Sequence, residues 1–141
     1  MKIKYTFTII VVGIALLFLV ACNGVDSTGN DPLDGTSWTL MAYRKTSPIP
    51  GTVITAVFED GRVRGSTGCN SYSGTYKVRG NNITVSEIIA TEMACPEPEG
   101  VMQQETTFIQ LLSEAESFQL TDGQLQTFAG HEALTFVPSA D

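Results

Sequence analysis

One stretch of this chain restricts its fold more than any other: Gly-Ser-Thr-Gly-Cys-Asn-Ser-Tyr-Ser-Gly-Thr-Tyr, Gly65 to Tyr76, set between two strand-like segments. Glycine accepts positive φ and close backbone approach, so Gly65, Gly68 and Gly74 read as bend and bulge positions in a tightly built corner between strands. Asn70 suits such a corner, because its carboxamide can satisfy backbone groups that have left a ladder. The chemical alternatives need residues that are missing. No Lys-Ser/Thr follows the glycines as in a phosphate-binding loop, and the spacing is not that of a Gly-x-Ser-x-Gly nucleophile turn.

The flanking chain reads as a meander. Runs rich in β-branched and aromatic residues cover Ser37 to Arg44, Val53 to Glu59, Arg62 to Ser66, Thr75 to Arg79 and Ile83 to Ile89. Asp60-Gly61 and Gly80-Asn81 supply hairpin turns, which makes neighbouring strands antiparallel. Period two puts Trp38, Leu40 and Ala42 on one face, and Val53, Thr55 and Val57 on one face. After Pro96-Glu97-Pro98-Glu99-Gly100, the spacing of Met102, Phe108, Ile109 and Leu112 predicts a helix over 101–113 with those four facing a sheet. Three short strands follow: Ser117 to Thr121, Gln124 to Phe128 and Ala133 to Val137, the first two joined at Asp122-Gly123. Trp38, Val57, Tyr76, Phe108, Leu112, Leu125 and Phe136 are the expected core.

The N-terminus sets the expected compartment. Residues 1–21 carry Lys2 and Lys4, an apolar run and Leu19-Val20-Ala21 before Cys22, the pattern of a lipoprotein signal peptide whose cysteine is acylated and becomes the first mature residue. The apolar run, about fifteen residues, is shorter than the roughly 20 of a spanning helix. Residues 22–32 are then the lipidated Cys22 and a polar tether with a reach of roughly 17 Å, followed by one domain over 33–141. Such a protein is exported and held to a membrane by its lipid. In a cell with two membranes, Asn23 lacks the aspartate of an inner-membrane retention signal, and the expected site is the outer membrane facing the periplasm. Otherwise it is the outer face of the plasma membrane.

With Cys22 assigned to lipid, Cys69 and Cys95 are left. In an exported chain they read as a disulfide, worth roughly 3.5 kcal/mol in the chain-entropy model, with two buried free thiols as the alternative. Setting Lys2 and Lys4 aside, six Lys and Arg face all fifteen Asp and Glu. Net negative charge disfavours nucleic acid and electrostatic docking on anionic lipid.

Together, Leu33-Asp34-Gly35-Thr36-Ser37-Trp38-Thr39-Leu40, the Gly61 to Asn70 segment with Ser73-Gly74-Thr75-Tyr76, and Ala90-Thr91-Glu92-Met93-Ala94-Cys95 before a helix resemble a META domain of the HslJ-like family. The resemblance spans Leu33 to Val137. It implies an α+β fold, a strongly curved antiparallel sheet close to a half-open barrel with one helix packed across it. It also implies an exported or lipid-anchored bacterial protein, in some members tied to heat shock or antibiotic tolerance. It brings no catalytic residues.

The residues agree with a non-enzymatic role. His131 is the sole histidine and falls in a predicted turn, and Glu97 with Glu99 and Glu114 with Glu116 lie in solvated contexts. No metal or cofactor pattern is present. Two functions follow: an envelope module that meets an unidentified envelope protein, with Asn70, Tyr72 and Tyr76 as candidate contact points, or a carrier of a small apolar ligand in the half-barrel. A cavity of about 300 Å³ lined by Trp38, Phe58, Phe108 and Phe136 would mark the carrier, and a filled interior the module.

Overall fold

A computed structural model describes residues 31–140. The signal peptide, Cys22 and most of the tether lie outside the described residues. Eight strands run in chain order: β1 (Thr36–Tyr43), β2 (Thr55–Glu59), β3 (Arg62–Ser66), β4 (Ser71–Arg79), β5 (Asn82–Ala90), β6 (Ser117–Thr121), β7 (Gln124–Ala129) and β8 (Glu132–Pro138), with helix α1 (Val101–Ser113) between β5 and β6. Each strand pairs antiparallel with the next, and β8 returns to β1, so the sheet closes into a barrel. The expected half-open barrel is therefore corrected. Closure comes from the β8–β1 ladder, from Trp38 opposite Pro138 to Tyr43 opposite Leu134, and from one rung between β5 and β6, Asn82 opposite Ser117.

That rung is the only ladder pair between β5 and β6. Only Ile83 N–H to Glu116 C=O (3.1 Å) and Phe118 N–H to Asn81 C=O (2.9 Å) flank it. Beyond Asn82, β5 runs on to Ala90 without β6 beside it, and α1 packs against β5, β7 and β8. Phe108, Leu111 and Leu112 of the helix join Phe58, Leu125, Leu134 and Phe136 of the strands in one buried cluster. The interior is filled by side chains, with Tyr76 edge-on to Phe58 at 4.9 Å and Tyr72 edge-on to Phe108 at 5.4 Å.

Two expected faces turn the other way. On β2 the buried residues are Ala56 and Phe58, while Val57 is only half-buried and Val53 is exposed, so the odd-numbered set faces outward. The even set wins because Ile54, Ala56 and Phe58 bring the larger apolar surface to the core. On α1 the buried residues are Val101, Gln104, Thr107, Phe108, Leu111 and Leu112, which leaves Met102 exposed and Ile109 half-buried. Polar Gln104 can be buried because it is satisfied: its Oε1 accepts from Ile49 N–H (2.7 Å) and its amide donates to Thr52 Oγ1 (3.0 Å), which pins the β1–β2 loop to the helix. The carboxylates of Glu97 and Glu99 precede the helix, and its first turn holds none.

Candidate functional site

The glycine-rich corner is a joint. Gly65 lies so close to β2 that a Cβ there would stand 2.1 Å from the Thr55 carbonyl oxygen, and Gly68 holds φ 97°. A side chain at either position would force the strands apart or strain the backbone. The Ser73–Thr75 step of β4, which contains Gly74, faces a register shift in β5, as expected of a bulge.

Asn70 stands at the centre of this joint and is buried. Its amide donates to the Met93 carbonyl (3.1 Å) and to Glu105 Oε1 (3.0 Å). Its carbonyl accepts from Thr91 Oγ1 (2.7 Å) and Met93 N–H (2.8 Å). The Asn70 main-chain N–H reaches Thr67 Oγ1 (2.9 Å) and Glu105 Oε2 (3.2 Å), and the Thr67 hydroxyl donates to the same carboxylate. One carboxamide thus plays the part of a paired strand for Met93 and fastens it to α1 through Glu105. The Cys69–Cys95 disulfide, with Cα atoms 6.1 Å apart, closes the same joint covalently.

Asn70, Tyr72 and Tyr76 are therefore not the surface contacts expected of them. All three are buried, the tyrosines because Tyr72, Gly74, Tyr76 and Val78 take the inner face of β4 while Ser71, Ser73, Thr75, Lys77 and Arg79 take the outer one. The Tyr72 hydroxyl donates to the Thr55 carbonyl (2.9 Å), and burial raises its pKa. No group of the described residues stands within 3.5 Å hydrogen-bond reach of the buried Tyr76 hydroxyl, and burial, then the nearby Asp31 carboxylate and the Asp34 and Asp60 charges, raise its pKa.

The surface feature that this joint creates is a groove of about 690 Å³ between α1 and residues 90–94. Met93 is 56 % exposed and Met102 is 40 % exposed; with Ile109 they form its apolar lining. Glu92, Glu105 and the edge of Asn70 supply polar groups. The helical spacing of Met102 and Ile109 marks them in the sequence but points them toward the core. Met93 has no local signal in the sequence; Asn70 holds its main chain through both N–H and C=O. Trp38, Phe58, Phe108 and Phe136 do not line this groove; they are packed in the interior.

His131 is exposed in the β7–β8 turn. Glu97, Glu99, Glu114 and Glu116 are exposed as well. Among the described residues no three His, Cys, Asp or Glu side chains gather as a metal site.

The family model described as META domain matches residues 31–141. No functionally curated protein matches the chain. Among solved structures, an NMR structure of a protein from Burkholderia xenovorans is similar, with 26% identity and a TM-score of 0.65 over 77% of this chain and 85% of that one. A second NMR structure has 22% identity and a TM-score of 0.62 over 75% and 91% of the two chains. A crystal structure of a DUF4847 family protein from Bacteroides vulgatus has 14% identity and a TM-score of 0.58 over 78% and 96%. The latter two likenesses concern the fold alone.

Proposed function

The chain belongs to the META-domain family, and from that premise we propose that it is a non-enzymatic envelope lipoprotein that works as a protein-interaction module, anchored through acylated Cys22. The observation that carries this reading is a filled barrel with a methionine-lined groove on its outside. A packed interior offers no room for cargo, whereas an exposed apolar groove with a polar rim is what a partner surface needs. The lipobox-like Leu19-Val20-Ala21-Cys22 supports the anchor, and the polar tether would keep the domain among membrane-proximal partners, where confinement raises their effective concentration. A part in envelope stress or antibiotic tolerance belongs to the same proposal and rests on the HslJ-like resemblance.

A second reading draws on the groove's size. A volume of about 690 Å³ lies within the roughly 300–1,000 Å³ of small-molecule sites, so a carrier would hold its ligand there and not inside the barrel. Photocrosslinking in intact cells from a reactive residue placed at Met102, with the Cys22→Ser protein as control, separates the two. A specific protein adduct that disappears with the anchor is expected. No protein adduct, together with an apolar molecule that co-purifies with the domain, would replace the module by the carrier.

A further inference from the structure

We infer that the groove between α1 and residues 90–94 takes a segment of its protein partner that presents an apolar side chain next to Lys or Arg. This deepens the interaction reading and rests on it. The apolar half follows from the lining: Met93, Met102 and Ile109 offer a soft, adaptable surface at the groove, and two of the three are exposed in the free domain.

The charge half follows from how the chain distributes its ions. No Lys or Arg occurs after Arg79, while ten of the fifteen Asp and Glu do. All elements of the groove except Asn70 come from this cation-free part, and it contributes Glu92 and Glu105. Among the described residues the ion pairs are Arg44 with Glu132 and Arg64 with Glu59, both outside the groove. Glu105 accepts hydrogen bonds from Asn70 and Thr67, and Glu92 has no pairing cation. Among the described residues neither carboxylate is in an ion pair, so an incoming cation gains attraction without displacing an internal one. An acidic segment, by contrast, would meet repulsion.

The groove is also held ready. Residue 93 is fixed through both its N–H and its C=O by Asn70, Cys95 is tied to Cys69, and Asn70 is tied in turn to α1 through Glu105. Binding therefore needs little ordering of the walls, which leaves more of the contact free energy as affinity.

The test uses the protein purified as the cell exports it and three dye-labelled peptides of equal length: alternating Lys and Leu, alternating Glu and Leu, and alternating Lys and Ser. Fluorescence anisotropy should show saturable binding of the Lys-Leu peptide alone, weakened by salt. Met93→Ser with Met102→Ser should weaken it about tenfold or more, and Glu92→Lys several-fold, while Leu120→Ser on exposed β6 leaves it unchanged. Equal binding of the Glu-Leu peptide, an equal loss in Leu120→Ser, or dodecylamine binding as tightly as the peptide would overturn the inference. If the Lys-Leu peptide fails to bind while crosslinking from Met102 still captures a protein, the cationic partner is wrong and the module stands. If both fail, both fall.

Discussion

Between Ser66 and Ser71 the chain leaves the β-ladder, and between β5 and β6 it barely enters one, yet both places hold the same barrel shut. At the β3–β4 corner the work is done by directed polar bonds: the four hydrogen bonds that join the Asn70 carboxamide to Thr91, Met93 and Glu105, the Glu105 carboxylate and the disulfide. At the β5–β6 seam there is one ladder rung, and the remaining length of β5 is covered by a helix whose Phe108, Leu111 and Leu112 enter the common core. The comparison teaches that closure does not require uniform strand pairing. Polar bonds, being directional, fix the position of the 90–94 wall, whereas apolar packing, being non-directional, fills the gap but sets no register. The groove lies where the two devices meet.

The largest expected effect breaks the seam. Phe108 is wholly buried and touches Tyr72, so Phe108→Ala removes the side chain that bridges helix and barrel. The variant should lose about 3–5 kcal/mol of stability in urea unfolding. A loss below about 1 kcal/mol would mean that the single rung and its two flanking bonds hold the seam by themselves.

The corner responds to a different change. Asn70→Ala, with the disulfide kept, strips partners from Met93 N–H, Met93 C=O and Glu105 at once. Unpaired groups of this kind cost about 1–3 kcal/mol each when water cannot replace the partner, and residues 91–94 are exposed enough for water to repair some of them. A net loss of about 2–3 kcal/mol is expected, with the Met93 amide exchanging hydrogen faster than in the parent. Unchanged exchange at Met93 would show that the disulfide alone positions this wall.

Much of this architecture is legible in the sequence. The Asp-Gly turns and the alternation of β-branched residues place the strands to within a few residues, β4 beginning at Ser71 where Thr75 is expected, and the glycine cluster marks a corner in which Gly68 holds φ 97° between β3 and β4. Asn70 was read as serving backbone groups, which it does, but for Met93, a residue 23 positions away. Burial of Tyr72 and Tyr76 is legible from the alternating Ser71, Ser73, Thr75, Lys77 and Arg79, a signal that outweighs the contact surface suggested by tyrosines beside a glycine corner. Val57 and Met102 failed for another reason. On β2 both faces are apolar, and on α1 a stripe rotated by one residue still contains Phe108 and Leu112, so local periodicity could not choose between them. The groove itself was beyond local pattern, since its two walls belong to segments whose spacing only the closed barrel determines.

Tyr72 belongs to both devices and Tyr76 to neither. The Tyr72 hydroxyl bonds the Thr55 carbonyl at the corner side while its ring meets Phe108 of the seam helix; Tyr76 packs on Phe58, and its buried hydroxyl has no hydrogen-bond partner among the described residues. Tyr72→Phe should therefore lose about 1 kcal/mol, and Tyr76→Phe should be neutral or slightly stabilising, since it removes a polar group that burial penalises. Both phenols have raised pKa values in the folded protein, so the folded state holds protons that the unfolded chain releases at about pH 10. Their contribution is fully present below that pH and falls as pH rises through the alkaline range, because the unfolded chain then binds fewer protons than the native one. Each Tyr→Phe variant should make that alkaline decline shallower in urea titrations above about pH 10. If Tyr72→Phe leaves both the midpoint and the alkaline slope unchanged, the tyrosine does not couple corner to seam, and the two devices close the barrel independently.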